Sequence, residues 1–175
     1  KENEISEGKL LEVNSVSVNY KSHNRGLFSK GTSIEAVSDV SFDIKRGERL
    51  GLVGESGSGK STLTRTILGL QSTSSGYIEF EGKKISKDNR SFKKNIQVVF
   101  QDPYGSFNPR HKVERLIAEP FFALGKEAPH ETEQKSIVKE MLEEVGLPLN
   151  STEKYIHEFS GGQRQRIAIA RALVI

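Results

Sequence analysis

The sequence predicts an α/β fold, and three observations carry that assignment. A glycine-rich loop at residues 54–61 stands between a short apolar run and a helical pattern. Before it, apolar and polar residues alternate with the period of strands. From about residue 111 the period becomes that of helices, and a glycine pair opens the last of them.

The 175 residues suit one domain and suffice to bury a core. With 34% hydrophobic and 28% charged residues, the composition is that of an ordinary globular protein. No apolar run approaches the roughly 18 residues of a bilayer span, and the N-terminal KENEISEGKL lacks the apolar stretch of a secretory signal. The cytosol is the expected compartment. The chain has no cysteine, which excludes disulfides and thiolate metal sites. His23, His111, His130 and His157 lack ligand spacing, so no histidine metal site is expected. A formal charge of +3 singles out neither nucleic acid nor an anionic membrane.

Taken in order, Leu10, Leu11 and Val13, then Val16, Val18 and Tyr20, predict strands. Residues 21–33, rich in Gly, Ser and basic side chains, read as an inserted loop. Alternation resumes at Val40, Phe42 and Ile44. A turn at Lys45-Arg46-Gly47 then leads to Arg49-Leu50-Gly51-Leu52-Val53, which predicts a buried strand of a parallel sheet. Residues 61–70 predict a helix ending near Gly69, and Tyr77, Ile78 and Phe80 with Glu81-Gly82-Lys83 predict a hairpin. Residues 96–100 predict a second buried strand, closed by Gln101 and the Asp102-Pro103 loop. Ile137, Val138, Met141, Leu142 and Val145 share one helical face, which Gly146 and Pro148 stop. Ser160 and Gln163 have the spacing of a capping box.

Gly54-Glu55-Ser56-Gly57-Ser58-Gly59-Lys60-Ser61 matches G-x-x-x-x-G-K-[ST] in the expected strand–helix context. Glycines let the backbone curl so that successive N–H groups point at phosphate oxygens. The start of the following helix adds positive potential. Lys60 reaches the β- and γ-phosphates, and the Ser61 hydroxyl is a ligand for Mg²⁺. A phosphate loop alone leaves kinases, GTPases, helicases and transporters open.

Phe159-Ser160-Gly161-Gly162-Gln163-Arg164-Gln165-Arg166, continued by Ile167-Ala168-Ile169-Ala170-Arg171-Ala172-Leu173, resembles the signature motif and helix of the ABC ATPases. Physically it is a second anion site, a Ser-capped helix start whose glycines expose N–H groups. The resemblance implies a P-loop NTPase of ABC type, with an N-terminal antiparallel β subdomain and an inserted helical subdomain. On that pattern residues 1–101 are the β subdomain and nucleotide-binding core, 102–158 the helical subdomain, and 159–175 the signature and its helix. The resemblance further implies binding of ATP and Mg²⁺ by residues 54–61 and the adjoining Thr62. By the same resemblance Ser160, Gly161, Gly162 and Gln163 are expected to close over the γ-phosphate of ATP held by a second, identical or related ATPase subunit. Gln101 resembles the family glutamine that contacts Mg²⁺ and the attacking water, and shares the catalytic assignment with Lys60. Tyr20 stands where the family has an aromatic stacked on adenine; a plain surface or core tyrosine is the alternative.

Gln101-Asp102-Pro103-Tyr104-Gly105-Ser106-Phe107-Asn108-Pro109-Arg110, Ile117-Ala118-Glu119-Pro120 and His157-Glu158 are similar to the ATP-binding subunits of oligopeptide, dipeptide and nickel importers. This implies two transmembrane permease subunits as partners, an extracytoplasmic substrate-binding protein acting indirectly, and a location on the cytoplasmic face of the membrane. The region from Gln101 onward would meet the permeases. For the Phe121-Phe122 pair, core burial is preferred over contact with such a partner. A soluble ABC ATPase acting on nucleic acid or ribosomes shares both phosphate motifs, but the sequence has no concentrated basic stripe. The family pattern continues with a strand ending in Asp-Glu and a switch histidine, none of which occurs before Ile175. The chain is therefore expected to be inactive alone, with Leu50, Leu52, Val53, Ile96 and Val98 poorly covered. No general base is assigned, and Glu55 is not given that role.

Overall fold

The computed structural model describes residues 8–21, 33–85, 92 and 95–175. The chain divides into two compact units, residues 1–93 and 94–175.

The first unit is built on an antiparallel sheet. Strand β1 (Lys9–Lys21) pairs with β2 (Ser33–Lys45) on one side and with β3 (Ser75–Phe80) on the other. β3 turns through Glu81 and Gly82 into β4 (Lys83–Lys84), giving the order β2-β1-β3-β4. Both turn residues have positive φ, 51° and 71°, as a two-residue hairpin turn requires.

Val13 and Val16 are three apart, which breaks strict alternation, yet both are buried. The strand absorbs the odd residue in a bulge at Ser15, where φ is 46°. β2 does the same at Asp39, with φ 44°. Each irregular N–H finds a serine on the opposite strand: Ser15 N–H donates to Ser41 Oγ at 2.8 Å and Asp39 N–H to Ser17 Oγ at 3.0 Å. Gly76 lies against the first bulge, where a Cβ would stand 2.3 Å from the Asn14 and Ser15 carbonyl oxygens. Leu11, Val13, Val16, Val18, Val37 and Ile78 pack with Leu63 of helix α1 (Lys60–Ile67) to form the core of this unit.

Two sequence expectations are corrected here. Residues 49–53 and 96–100 belong to no strand, and Leu50, Leu52, Val53, Val99 and Phe100 are exposed, Val53 at 94%. A strand exists through ladder pairing, and no other strand of the described residues pairs with either segment. The insertion expected at 21–33 falls mostly outside the described residues; Lys21 and Ser33 themselves end β1 and begin β2.

The second unit is helical: α2 (Val113–Ile117), α3 (Phe121–Leu124), α4 (Glu131–Glu144) and α5 (Gly161–Leu173), joined by short 3-10 turns. On α4, Val138 and Leu142 are fully buried while Ile137, Met141 and Val145 flank them, as the sequence spacing anticipates. Gly146, at φ 67°, ends the helix. Those residues pack with Val113, Leu116, Ile117, Ile156, Ile167 and Ala170 into one core. The phenylalanine pair divides: Phe121 is 3% exposed and Phe122 is 73% exposed, because adjacent helical positions face different directions. Burial therefore holds for Phe121 and is corrected for Phe122.

In urea denaturation, Leu142→Ala is expected to lose about 2–5 kcal/mol through the cavity it leaves. Phe122→Ser is expected to stay within about 0.5 kcal/mol of the wild type.

Candidate functional site

The glycine-rich loop reaches α1 through two residues in the left-handed region, Gly57 at φ 83° and Gly59 at φ 91°. Gly59 is also required by space, since a Cβ there would lie 2.1 Å from the Ala36 carbonyl oxygen of β2. At Gly54 a Cβ would meet Ser58 Oγ at 2.7 Å. The loop is thus wound too tightly for a side chain at Gly59, while one at Gly54 would require the Ser58 hydroxyl to move. Its interior presents polar groups: Ser58 N–H donates to the Glu55 carbonyl at 3.2 Å.

Lys60, the first residue of α1, folds back over the loop. Its ammonium donates to the carbonyls of Gly54 (2.7 Å) and Glu55 (2.5 Å) and approaches Ser58 Oγ at 3.2 Å. The side chain thereby holds a positive charge against the loop that leads into α1, whose first-turn N–H groups lack intrahelical acceptors. Thr64 and Thr66 spend their hydroxyls on α1's own carbonyls, Lys60 and Thr62, at 2.9 and 2.8 Å. The Ser61 hydroxyl makes no hydrogen bond among the described residues, and Glu55, Ser56, Gly57 and Ser58 are exposed. Gly54, Gly57, Gly59, Lys60 and Ser61 therefore fit a phosphate group with a cation beside it, on donor chemistry and on space.

Tyr20, near the end of β1, brings its hydroxyl within 3.5 Å of Thr62 Oγ1. That separation is long for a hydrogen bond, so it places the tyrosine beside the start of α1 without locking it. Its ring is more than a third exposed, which leaves a π-face for a planar ligand. Hence the first unit gathers Tyr20, residues 54–61 and Thr62 at the start of one helix.

In the second unit, Gln101 is exposed and lines a cleft with Phe100, Asp102, Gly105 and Ser106. The loop after it is held by its own side chains. Asp102 Oδ1 accepts from Tyr104 N–H at 3.1 Å, Ser106 Oγ donates to the Pro103 carbonyl at 2.7 Å, and Asn108 Oδ1 accepts from Arg110 N–H at 3.0 Å. Ser160 caps α5 as the spacing predicts: its N–H donates to Gln163 Oε1 at 2.9 Å, and its Oγ accepts from Gln163 N–H at 3.4 Å. Neither Gly161 nor Gly162 has positive φ, and a Cβ at either would meet nothing within 4 Å. Neither backbone strain nor internal packing accounts for glycine at these two positions. What they provide is open access to the N–H groups of a helix start.

Sequence reasoning assigned no role to the arginines of α5. Arg164 Nε donates to the Ile156 carbonyl at 3.1 Å, Arg166 Nη1 to the Gly146 carbonyl at 3.1 Å, and Arg171 Nη1 to the Ser106 carbonyl at 3.0 Å. The partners lie 8, 20 and 65 residues away in sequence, beyond the reach of the helix's own turns. The available signal was three cations on a helix whose buried face is apolar.

An exposed, glycine-wound cradle carrying a lysine, in a chain that also has a glycine-opened helix start, has the features of a nucleotide-phosphate-binding α/β protein. The comparisons with known proteins narrow this: residues 37–175 match the ABC transporter family model, and the chain belongs to that family. It is 48% identical over 174 residues to the oligopeptide transport ATP-binding protein OppF of Haemophilus influenzae, covering 95% of this chain and 52% of that protein. It is 46% identical over 172 residues to the oligopeptide transport ATP-binding protein AppF of Bacillus subtilis, covering 95% and 51%. The chain thus spans about half the length of the curated relatives it matches. Among solved structures, CbiO1 of Clostridium perfringens, part of an ABC transporter complex, superposes with TM-score 0.74 at 31% identity, covering 95% of this chain and 61% of that one. The ATP-binding cassette MJ0796, in a dimeric post-hydrolysis state with ADP and Pi, gives 0.77 at 28% identity, covering 94% and 69%.

Replacing Ser160 by Ala removes the cap of α5 and is expected to lower stability by about 0.5–2 kcal/mol in urea denaturation. Gly59→Ala, strained by both φ and the Ala36 carbonyl, is expected to cost about 1–3 kcal/mol in the same measurement.

Proposed function

We propose that this chain is the nucleotide-binding part of an ATP-hydrolysing subunit that powers peptide import through membrane permeases. The observation that carries the proposal is the Lys60 ammonium over the glycine cradle, held by two loop carbonyls that a phosphate group would replace. The likeness to oligopeptide transport ATP-binding proteins over 95% of the chain supports the transport role, and favours peptides over nickel or metal chelates as cargo.

On this reading the loop N–H groups and Lys60 orient the β- and γ-phosphates of ATP, and Tyr20 offers its ring to the adenine. Ser61 is the proposed Mg²⁺ ligand of the first unit and Gln101 that of the second. Mg²⁺, when bound, would neutralise charge on the phosphate oxygens. Gln101 would position the attacking water. Ser160, Gly161, Gly162 and Gln163 would serve the γ-phosphate of ATP held by a second ATPase subunit, identical or related. The dimeric state of the MJ0796 cassette supports such a pairing. Exposed Phe122 is a candidate contact for a permease. No described helix is long and apolar enough to cross a membrane, so attachment through permeases at the cytoplasmic face is the proposed location. The domain division proposed is a β subdomain with nucleotide core to Gln101, a helical subdomain over 102–158 and the signature helix over 159–175.

The 175 residues are further proposed not to turn over ATP unaided. The lead-in to the cradle, Leu50, Leu52 and Val53, is exposed, and no strand pairing supports it among the described residues. Steady ATP turnover by the purified 175-residue chain, abolished by Lys60→Ala, would overturn that statement.

Lys60→Ala is expected to weaken ATP binding roughly 10- to 150-fold, the loss of a charge-assisted contact of about 1.5–3 kcal/mol. Titration calorimetry with ATP reads this directly, and unchanged affinity would remove the phosphate-site assignment. Affinity capture that recovers RNA or ribosomes rather than two integral membrane proteins would favour the soluble alternative.

A further inference from the structure

We propose that Arg171 is a positioning residue that joins the loop after Gln101 to the helix opened by Ser160, so that the two move as one piece. The inference rests on the ATPase reading above and adds a residue and a coupling to it.

Arg171 lies near the far end of α5 from Ser160, and its side chain is only 13% exposed. A guanidinium withdrawn from water needs a full set of partners. Arg171 finds nearly all of them on a single loop. Nη1 donates to the Ser106 carbonyl at 3.0 Å and Nη2 to Ser106 Oγ at 2.8 Å, while the guanidinium carbon lies 4.6 Å from the centre of the Phe107 ring. Glu119 Oε2 is a third acceptor, 3.4 Å from Nη1. Ser106 Oγ passes the contact on by donating to the Pro103 carbonyl at 2.7 Å.

Arg164 repeats the ring contact, though not the hydrogen bonds to the loop, seven residues earlier, which returns to the same helix face two turns away. Its guanidinium carbon lies 4.6 Å from the centre of the Tyr104 ring. The loop is therefore fastened to α5 at two points roughly 10 Å apart along the axis. Tyr104 is three residues from Gln101, and Arg164 is four from Ser160. With both fastenings in place, a push on residues 102–110 displaces the Ser160–Gln163 cap. Arg171 is the remote fastening, outside the proposed nucleotide contacts, and its planar fork matches a paired carbonyl and hydroxyl as an ammonium does not.

The test uses the whole ATP-binding subunit, free and assembled with its permeases in proteoliposomes, comparing wild type with Arg171→Gln, Arg171→Lys and Ser106→Ala. The readouts are kcat and KM for ATP in each state. Arg171→Gln is expected to keep basal kcat and KM within about twofold while reducing the stimulation by permeases roughly two- to thirtyfold. Arg171→Lys is expected to recover only part of that loss, and Ser106→Ala to lose stimulation in the same sense. Undiminished stimulation in Arg171→Gln overturns the proposal and leaves the transport reading standing. So does a basal kcat that falls as far as the stimulated one. A wild-type subunit that permeases do not stimulate overturns the transport reading, and the role of Arg171 with it. Should Arg171→Gln fail to fold, Ser106→Ala decides, and full stimulation in that variant overturns the proposal.

Discussion

Backbone polar groups that leave a regular ladder must find another partner, and side chains meet that demand wherever this chain turns irregular. Ser41 and Ser17 take up the N–H groups of the two β-bulges. Lys60 covers two carbonyls of the glycine loop. Asp102 and Asn108 hold the segment after Gln101, and Ser160 with Gln163 closes the start of α5. Arg166 covers the carbonyls of Val145 and Gly146, just past the end of α4. The same constraint that organises the fold thus also shapes the candidate site, because a side chain that satisfies an irregular backbone is already placed beside its free donors.

What could be read from the sequence follows from how local each determinant is. The glycine loop, the capping box at Ser160 and the α4 face through Val138 and Leu142 depend on residues within a few positions of one another. The hairpin at Glu81-Gly82 does too. Apolar alternation also located β1 and β2, and the three-residue step from Val13 to Val16 was the visible trace of a bulge. Residues 49–53 and 96–100 were misread as strands because apolar content records a preference for pairing, not the presence of a partner. The Arg171 contacts lie 65 residues from Ser106 in sequence, and no local pattern announces them. Phe121 and Phe122 show the limit in miniature, since composition alone could not tell which ring the helix would turn inward.

The two glycine-rich segments use glycine for different physical reasons. In the glycine loop Gly57 and Gly59 have positive φ, and Gly59 also lacks room for a Cβ against the Ala36 carbonyl, so the backbone itself demands those two. At the start of α5, Gly161 and Gly162 adopt ordinary helical backbone with open space around them. The first pair of demands is met within the molecule. The glycines of the second segment are exposed and under no such demand.

The exposed run Leu50-Gly51-Leu52-Val53 has a consequence for how the chain survives its own synthesis. Short apolar segments of this kind are the places where unfinished proteins adhere to one another. Here Arg46, Glu48 and Arg49 precede the run and Glu55 follows it. Charges so placed act as gatekeepers, making stacking of like segments electrostatically and sterically unfavourable. The charged residues bordering the glycine loop thereby disfavour self-association of the apolar run, a task separate from any ligand the loop holds.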